Sequence, residues 1–215
     1  MKAFITRTMA LAILYSLVLA CDKEEADPFL KDSGEFTDVR DNIKYKWVRI
    51  GQQIWMAENL AYDAGYKTWE YEDDEANVPS MGRLYEWEAA QLVCPVGWHL
   101  PNFYEWEQLA TFINNEEGPY NKGGDDWYGL GIHLKATGGW ANDGNGTDDF
   151  GFKALPGGLR YDNEYGYIGE FGAWWSATER SDTHAWVRGM TNFEDDFYRY
   201  DYPKENAFSI RCIKD

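Results

Sequence analysis

The sequence predicts an α+β domain. Three features predict it: two segments with apolar residues at helical spacing, short alternating apolar runs on either side of them, and long glycine-rich loops in between. From Glu35 to Ala57, apolar runs alternate with turn residues. Asp41-Asn42 precedes Ile43–Ile50, and Gly51-Gln52 separates that run from Ile54-Trp55-Met56, which predicts antiparallel strands joined by a hairpin. From Ala61 to Met81 the pattern dissolves among acids, glycine and Pro79, so a long surface loop is expected. Leu84, Trp87, Gln91 and Cys94 fall at helical spacing before Pro95, predicting a short helix with Cys94 on its inner side. A second helix has a clearer start. Asn102 can cap the exposed amides, Glu105 can bond back three residues on, and Trp106, Leu109, Ala110 and Ile113 line one face for the core. Beyond Gly118, strands are expected at His133–Ala136, Gly151–Ala154, Ala173–Ser176, His184–Arg188 and Phe208–Ile213.

The amino end reads as an export signal. Lys2 and Arg7 precede an apolar run from Met9 to Leu19, and Ala20 stands directly before Cys21. That run is too short for the ~20 residues that span a bilayer as a helix. Val18-Leu19-Ala20-Cys21 resembles the lipobox of bacterial lipoproteins, which implies cleavage after residue 20 and acyl chains on Cys21 that hold the protein to a membrane. Residues 21–34 then read as the lipidated cysteine and a flexible acidic tether, and residues 35–215 as one domain. Two addresses compete. Asp22 after the cysteine resembles an inner-membrane retention signal, whereas Lys23-Glu24-Glu25 resembles the surface-export tract of Bacteroidota lipoproteins.

The chain has a formal charge of −17, and removing a signal that carries two cations gives −17 − 2 = −19. Nucleic acid is an unfavourable partner for such a surface, because phosphate binding needs clustered Lys and Arg. With Cys21 acylated, Cys94 and Cys212 remain, and in an oxidising compartment they are expected to bridge. The alternative is a reactive thiol at Cys94, with His99 the only base close in sequence.

The tracts GRLYEWEAAQ, CPVGWHLPNFYEWEQL, NGTDDFGFKALPGGLR, WWSATE and SIRCIKD, in that order, resemble the Fibrobacter succinogenes major paralogous domain over about Glu35 to Asp215. That family is common in surface proteins and lipoproteins, so the resemblance favours an outer-membrane, surface-exposed address. AAQLVCPVGWHLPNFYEWEQL is similar to the helical half of C-type lectin-like domains, and Cys212 sits where they place the partner of that cysteine. The similarity implies a lectin-like fold of two short helices, antiparallel sheets and long glycine-rich loops. GWHLPNFYEWE is also similar to formylglycine-generating enzymes, which share that fold and supply the alternative reading, an oxidoreductase. Those enzymes use a cysteine pair near the carboxyl end, and here only Cys212 stands there, so no catalysis and no organic cofactor are expected.

Two constellations are candidate sites. Asp143, Asn145, Asp148 and Asp149 bring hard oxygen ligands into a glycine-rich loop, as calcium needs, although no glutamate stands at the twelfth position of an EF-hand. The competing reading is an Asx-rich turn bonded to its own backbone. Tyr161, Tyr165, Tyr167 and Phe171 crowd a second glycine-rich stretch beside Asp162, Asn163 and Glu164, which suits a carbohydrate or protein ligand. Residues 161–171 and 194–202 are therefore the expected recognition loops. The three histidines, His99, His133 and His184, share no metal-ligand spacing and read as structural.

Overall fold

Residues 32–215 are described by the structure, a computed structural model. The signal segment, Cys21 and nearly all of the tether lie outside them. Among the described residues no helix is long and apolar enough to cross a membrane.

The chain opens with strands β1 (Ser33–Thr37), β2 (Lys44–Ile50) and β3 (Gln53–Met56). The Gly51-Gln52 turn joins β2 to β3 as expected, with Ile50 paired to Gln53. Strand β1 starts at Ser33, so the ordered domain takes in Ser33 and Gly34, which the tether boundary had excluded. Next come β4 (Thr68–Trp69), helix α1 (Val78–Met81), β5 (Leu84–Glu86), α2 (Trp87–Ala90), β6 (Trp98–His99) and α3 (Phe103–Glu117). The second half holds β7 (Lys122–Gly123), β8 (Asp126–Trp127), β9 (Gly157–Tyr161), β10 (Glu164–Ile168), β11 (Phe171–Glu179), β12 (His184–Thr191), β13 (Tyr198–Pro203), β14 (Ala207–Phe208) and β15 (Ile213–Lys214).

Three antiparallel sheets result, in the orders β1-β2-β3-β15-β6, β10-β9-β14-β5-β4 and β11-β12-β13, with β7-β8 as a separate ribbon. Short helices among antiparallel sheets make the domain α+β. The final strand β15 lies between β3 and β6, so the two ends of the domain meet in one sheet. Strand β11 is buried on both faces because successive side chains point opposite ways. Ala173 and Trp175 enter a cluster with Tyr85, Val187, Phe208 and Ile210, while Trp174 enters another with Trp55, Trp106, Leu109 and Phe152. Truncating a fully buried tryptophan at such a place costs about 3–5 kcal/mol.

Helix α3 forms for the reasons read from its sequence. Asn102 Oδ1 accepts from the amides of Tyr104 and Glu105 at 2.9 and 3.1 Å, and Glu105 Oε2 accepts from Asn102 N at 2.8 Å. Trp106, Leu109, Ala110 and Ile113 are all buried. The other Glu105 oxygen bonds His99 Nε2 at 2.8 Å, while His99 Nδ1 reaches Asp215 at 2.7 Å. Burial opposes charge on this ring, but the bonds to Glu105 and Asp215 outweigh it and hold His99 above its ordinary value.

A disulfide joins Cys94 to Cys212 across 118 residues, with Cα atoms 5.9 Å apart. In the chain-entropy picture, closing a loop of that length stabilises by about 4–5 kcal/mol. Beside it lies a buried polar hub. Arg211, fully buried, donates to the carbonyls of Phe152, Lys153 and Met56 and to Asn59 Oδ1, which also accepts from Trp174 Nε1 at 2.8 Å. The guanidinium fixes two separate segments, at Met56 and at Phe152-Lys153, by their backbone oxygens.

Several expected elements differ. The helix over Leu84–Cys94 is a strand followed by one helical turn, because Tyr85 and Leu84 pair with β14 and β4 and face opposite clusters. Gln91 is exposed, and Cys94 follows the helical turn instead of lying within it. His133–Ala136 and Gly151–Ala154 are not strands. Leu130–His133 is a 3-10 turn, and left-handed residues at Gly151 and Lys153 break the second segment, leaving a single Lys135–Ala154 bridge. Phe208–Ile213 divides because β14 and β15 join different sheets. The Ala61–Met81 loop contains β4, α1 and two 3-10 turns, with Tyr71 buried.

Candidate functional site

The hairpin β9–β10 turns at Asp162-Asn163, both with positive φ, and pairs Tyr161 with Glu164. Two left-handed central residues match the twist of the flanking strands, which is why an Asp-Asn pair suits this turn. Three residues further along, between the Leu159–Gly166 and Gly157–Ile168 pairs, stand Gly158 and Tyr167, also with positive φ (68° and 65°). Gly158 has no alternative here, since a Cβ would lie 2.5 Å from the Gly166 carbonyl oxygen. Tyr167 is the unusual residue. A bulky side chain in this backbone region stores roughly 1–3 kcal/mol of strain, and the surrounding pairing maintains it.

The twisted hairpin forms one wall of a groove of about 480 Å³. Tyr161 and Tyr167 line it together with Phe171, the first residue of β11. The opposite wall comes from β13. Tyr198, Tyr200 and Tyr202 alternate along that strand and share a face, with ring centroids 5.4 and 6.2 Å apart, and the latter two line the groove. Tyr200 meets Phe171 edge to face at 6.1 Å. Burial first, and then neighbouring phenols and acids, push the Tyr200 hydroxyl up, so it is a neutral donor at physiological pH. Phe193 completes the rim and is 74% exposed.

Three polar side chains break the aromatic surface: Glu170, Thr191 and Asn206. Thr191 is 8% exposed, and its hydroxyl has no hydrogen-bond partner among the described residues. A buried hydroxyl left unpaired costs about 1–3 kcal/mol, so a ligand that bonds it recovers that cost.

Of the four residues singled out as ligand contacts, the structure brings Tyr161, Tyr167 and Phe171 together and separates Tyr165. Pairing opposite Arg160, Tyr165 faces away from the groove, packs on Tyr71 at 5.4 Å and donates to Asp73. Burial and then that bond push its hydroxyl up to about 12. Residues 194–202 split likewise. Glu194 and Asp196 accept from the Tyr198 hydroxyl, and Asp195 with the Glu194 carbonyl holds the buried ammonium of Lys135 at 3.0 and 2.7 Å. Of that segment, Tyr200 and Tyr202 line the groove. Thr191, Phe193 and Asn206 were missed by sequence reasoning. The alternation YRYDYP is the one sequence signal that puts three rings on a single face.

The candidate calcium loop is built differently. Asn145 Oδ1 accepts from Trp140 N at 3.1 Å, Asp148 Oδ1 from Lys153 N at 2.7 Å, and Asp149 Oδ2 bonds His133 Nδ1 and Thr147 Oγ1, each at 2.5 Å. Asp143 is exposed, in a left-handed turn. The structure therefore does not bring the four together, and among the described residues no three His, Cys, Asp or Glu side chains converge as a metal would require. Gly144 packs so closely on Asn192 that a Cβ would lie 2.1 Å from its carbonyl oxygen. The loop thus supports the residue between Thr191 and Phe193.

The described cysteines, Cys94 and Cys212, are joined to each other, and Cys21 lies outside the described residues.

Fold and site define an α+β domain with two large hydrophobic clusters and a smaller third, a disulfide and an aromatic groove at one edge. Residues 48–214 match the Fibrobacter succinogenes major domain, and the chain belongs to that family. No curated protein and no solved structure matches the chain.

Proposed function

We propose that this protein is a non-catalytic binding module with a C-type lectin-like fold, anchored to the outer membrane through acylated Cys21 and presenting its groove to carbohydrate at the cell surface. The observation that carries the reading is the groove itself: six aromatic rings, interrupted by a carboxylate, an unpartnered hydroxyl and an amide. A sugar ring offers an apolar face to stack and hydroxyls to bond at its edge, and such a surface suits both. Support for the fold comes from the disulfide, from α3, and from β15 returning beside β3. The reading needs no metal, because the oxygens of the acidic loop serve the loop and its neighbours. It also uses no thiol.

The test is a glycan array with the purified protein, followed by titration of any hit against Tyr167→Ala. A hit that weakens at least tenfold in the variant supports the reading. Hits that bind wild type and variant alike, or an array with no hits, overturn it. Exposed Phe193 favours a protein ligand as the second reading, in which case a partner captured from the cell surface would depend on Phe193 and compete with no glycan. The anchor is tested separately by labelling cells with a fatty-acid analogue, where Cys21→Ser should abolish incorporation.

A further inference from the structure

We infer that the ligand of this groove carries a protonated amine, seated on the aromatic walls beside Glu170, and that it is an amino sugar. This rests on the carbohydrate reading above and narrows it. Among the described residues, Glu170 is the only charged side chain lining the groove, and no lysine or arginine lines it. The Glu170 carboxylate makes no hydrogen bond or ion pair with a described residue. Nearby cations are engaged elsewhere. Arg160 stacks on Trp69, on the side of the hairpin where Tyr165 packs, Arg188 and Arg199 pair with Glu107 and Asp125, and Lys204 pairs with Glu179 at 3.0 Å. A carboxylate left unpaired at the mouth of an aromatic box is the arrangement that favours an ammonium, since ring faces carry negative electrostatic potential and the acid supplies the counter-charge.

Two further observations point the same way. The chain carries a formal charge of −17, and a field of that sign draws cations toward the surface. The unpartnered Thr191 hydroxyl and the buried Asn206 sit deeper in the groove, where a plain alkylammonium would leave them unbonded. A ligand with hydroxyls next to its amine satisfies both ends of the site. A deacetylated hexosamine has that chemistry, whereas its N-acetylated form has the same skeleton without the charge.

The experiment is calorimetric titration of the purified protein with a glucosamine oligomer and with the N-acetylglucosamine oligomer of equal length, at mildly acidic pH where the free amines are protonated. The free-amine oligomer should bind roughly tenfold tighter, as a charge-assisted bond predicts. That preference should vanish in Glu170→Gln and shrink with added salt. Glu170 is exposed, and only its backbone bonds, to Tyr167 and Asn192, hold structure, so the variant should melt with wild type. Equal or tighter binding of the acetylated oligomer, or a preference that survives Glu170→Gln, overturns the amine. If neither oligomer binds but a neutral glycan does and Tyr167→Ala abolishes it, the amine falls and the carbohydrate reading stands. If no glycan binds at all, both fall.

Discussion

The loop at residues 142–149 and the hairpin at residues 161–171 look alike as sequence: glycines, acids and amides, with the chemistry of a binding site in each. Folded, they have opposite characters. In the first, Asn145, Asp148 and Asp149 turn their oxygens to Trp140, Lys153 and His133. In the second, Tyr167 takes a strained backbone that leaves its ring in open groove, and the Glu170 carboxylate has no hydrogen bond or ion pair with a described residue. The difference teaches that the type of a polar residue says little about its role, whereas the destination of its hydrogen bonds says much. A group whose bonds are used by its own loop serves folding.

The sharpest way to break this comparison is Gly144→Ala. With Asn192 backbone where the methyl would go, the loop must shift, and we expect a loss of about 1–3 kcal/mol in urea unfolding together with weaker ligand binding through the displaced Thr191 and Phe193. Unchanged stability would mean that the loop is loosely attached after all. Tyr167→Gly should show the reverse pattern. It relieves the left-handed tyrosine, so the melting temperature should hold or rise, while affinity drops at least tenfold, about 1.4 kcal/mol. A lower melting temperature would show that the ring packs instead of binding.

A smaller effect comes from His99, which lies in neither region and serves as a control. Its folded pKa is raised, so the stability it contributes is fully present below its unfolded value of about 6.5 and is lost as pH rises through the folded value. The melting-temperature advantage of wild type over His99→Gln should therefore be greatest in mild acid and narrow toward alkaline pH, with no change in ligand affinity at any pH. The smallest effect is expected for calcium. Chelation or millimolar addition should leave melting and glycan titrations unchanged, and a calcium-dependent rise in either would return the acidic loop to the status of a site.

What the sequence made legible were features carried by local rules. The capping box at Asn102 and Glu105, the buried stripe of α3 and the Gly51-Gln52 turn each depend on residues a few positions apart, and each appears where its pattern sits. Leu84–Cys94 was misread because helical spacing over so short a stretch also fits a strand that sends Leu84 and Tyr85 to opposite sides. Half of the groove was visible for the same local reason, since Tyr161, Tyr167 and Phe171 are neighbours in sequence. Thr191 and Asn206 were invisible. They reach the groove only through the pairing of β11 with β12 and the path of the chain into β14, which no short window encodes. Tyr165 failed for a subtler reason: strand alternation puts it on the side opposite its neighbours, and the twist at Tyr167 reverses the parity that would otherwise have removed Tyr167 too.

Strand β11, flanked by both large clusters, separates what the domain must keep from what it can exchange. Tyr161, Tyr167 and Phe193 hang outside either cluster, so replacing them changes the chemistry of the rim without disturbing the packed interior. A lineage that duplicates such a chain can retool each copy for a different target and inherit the same folding equilibrium every time.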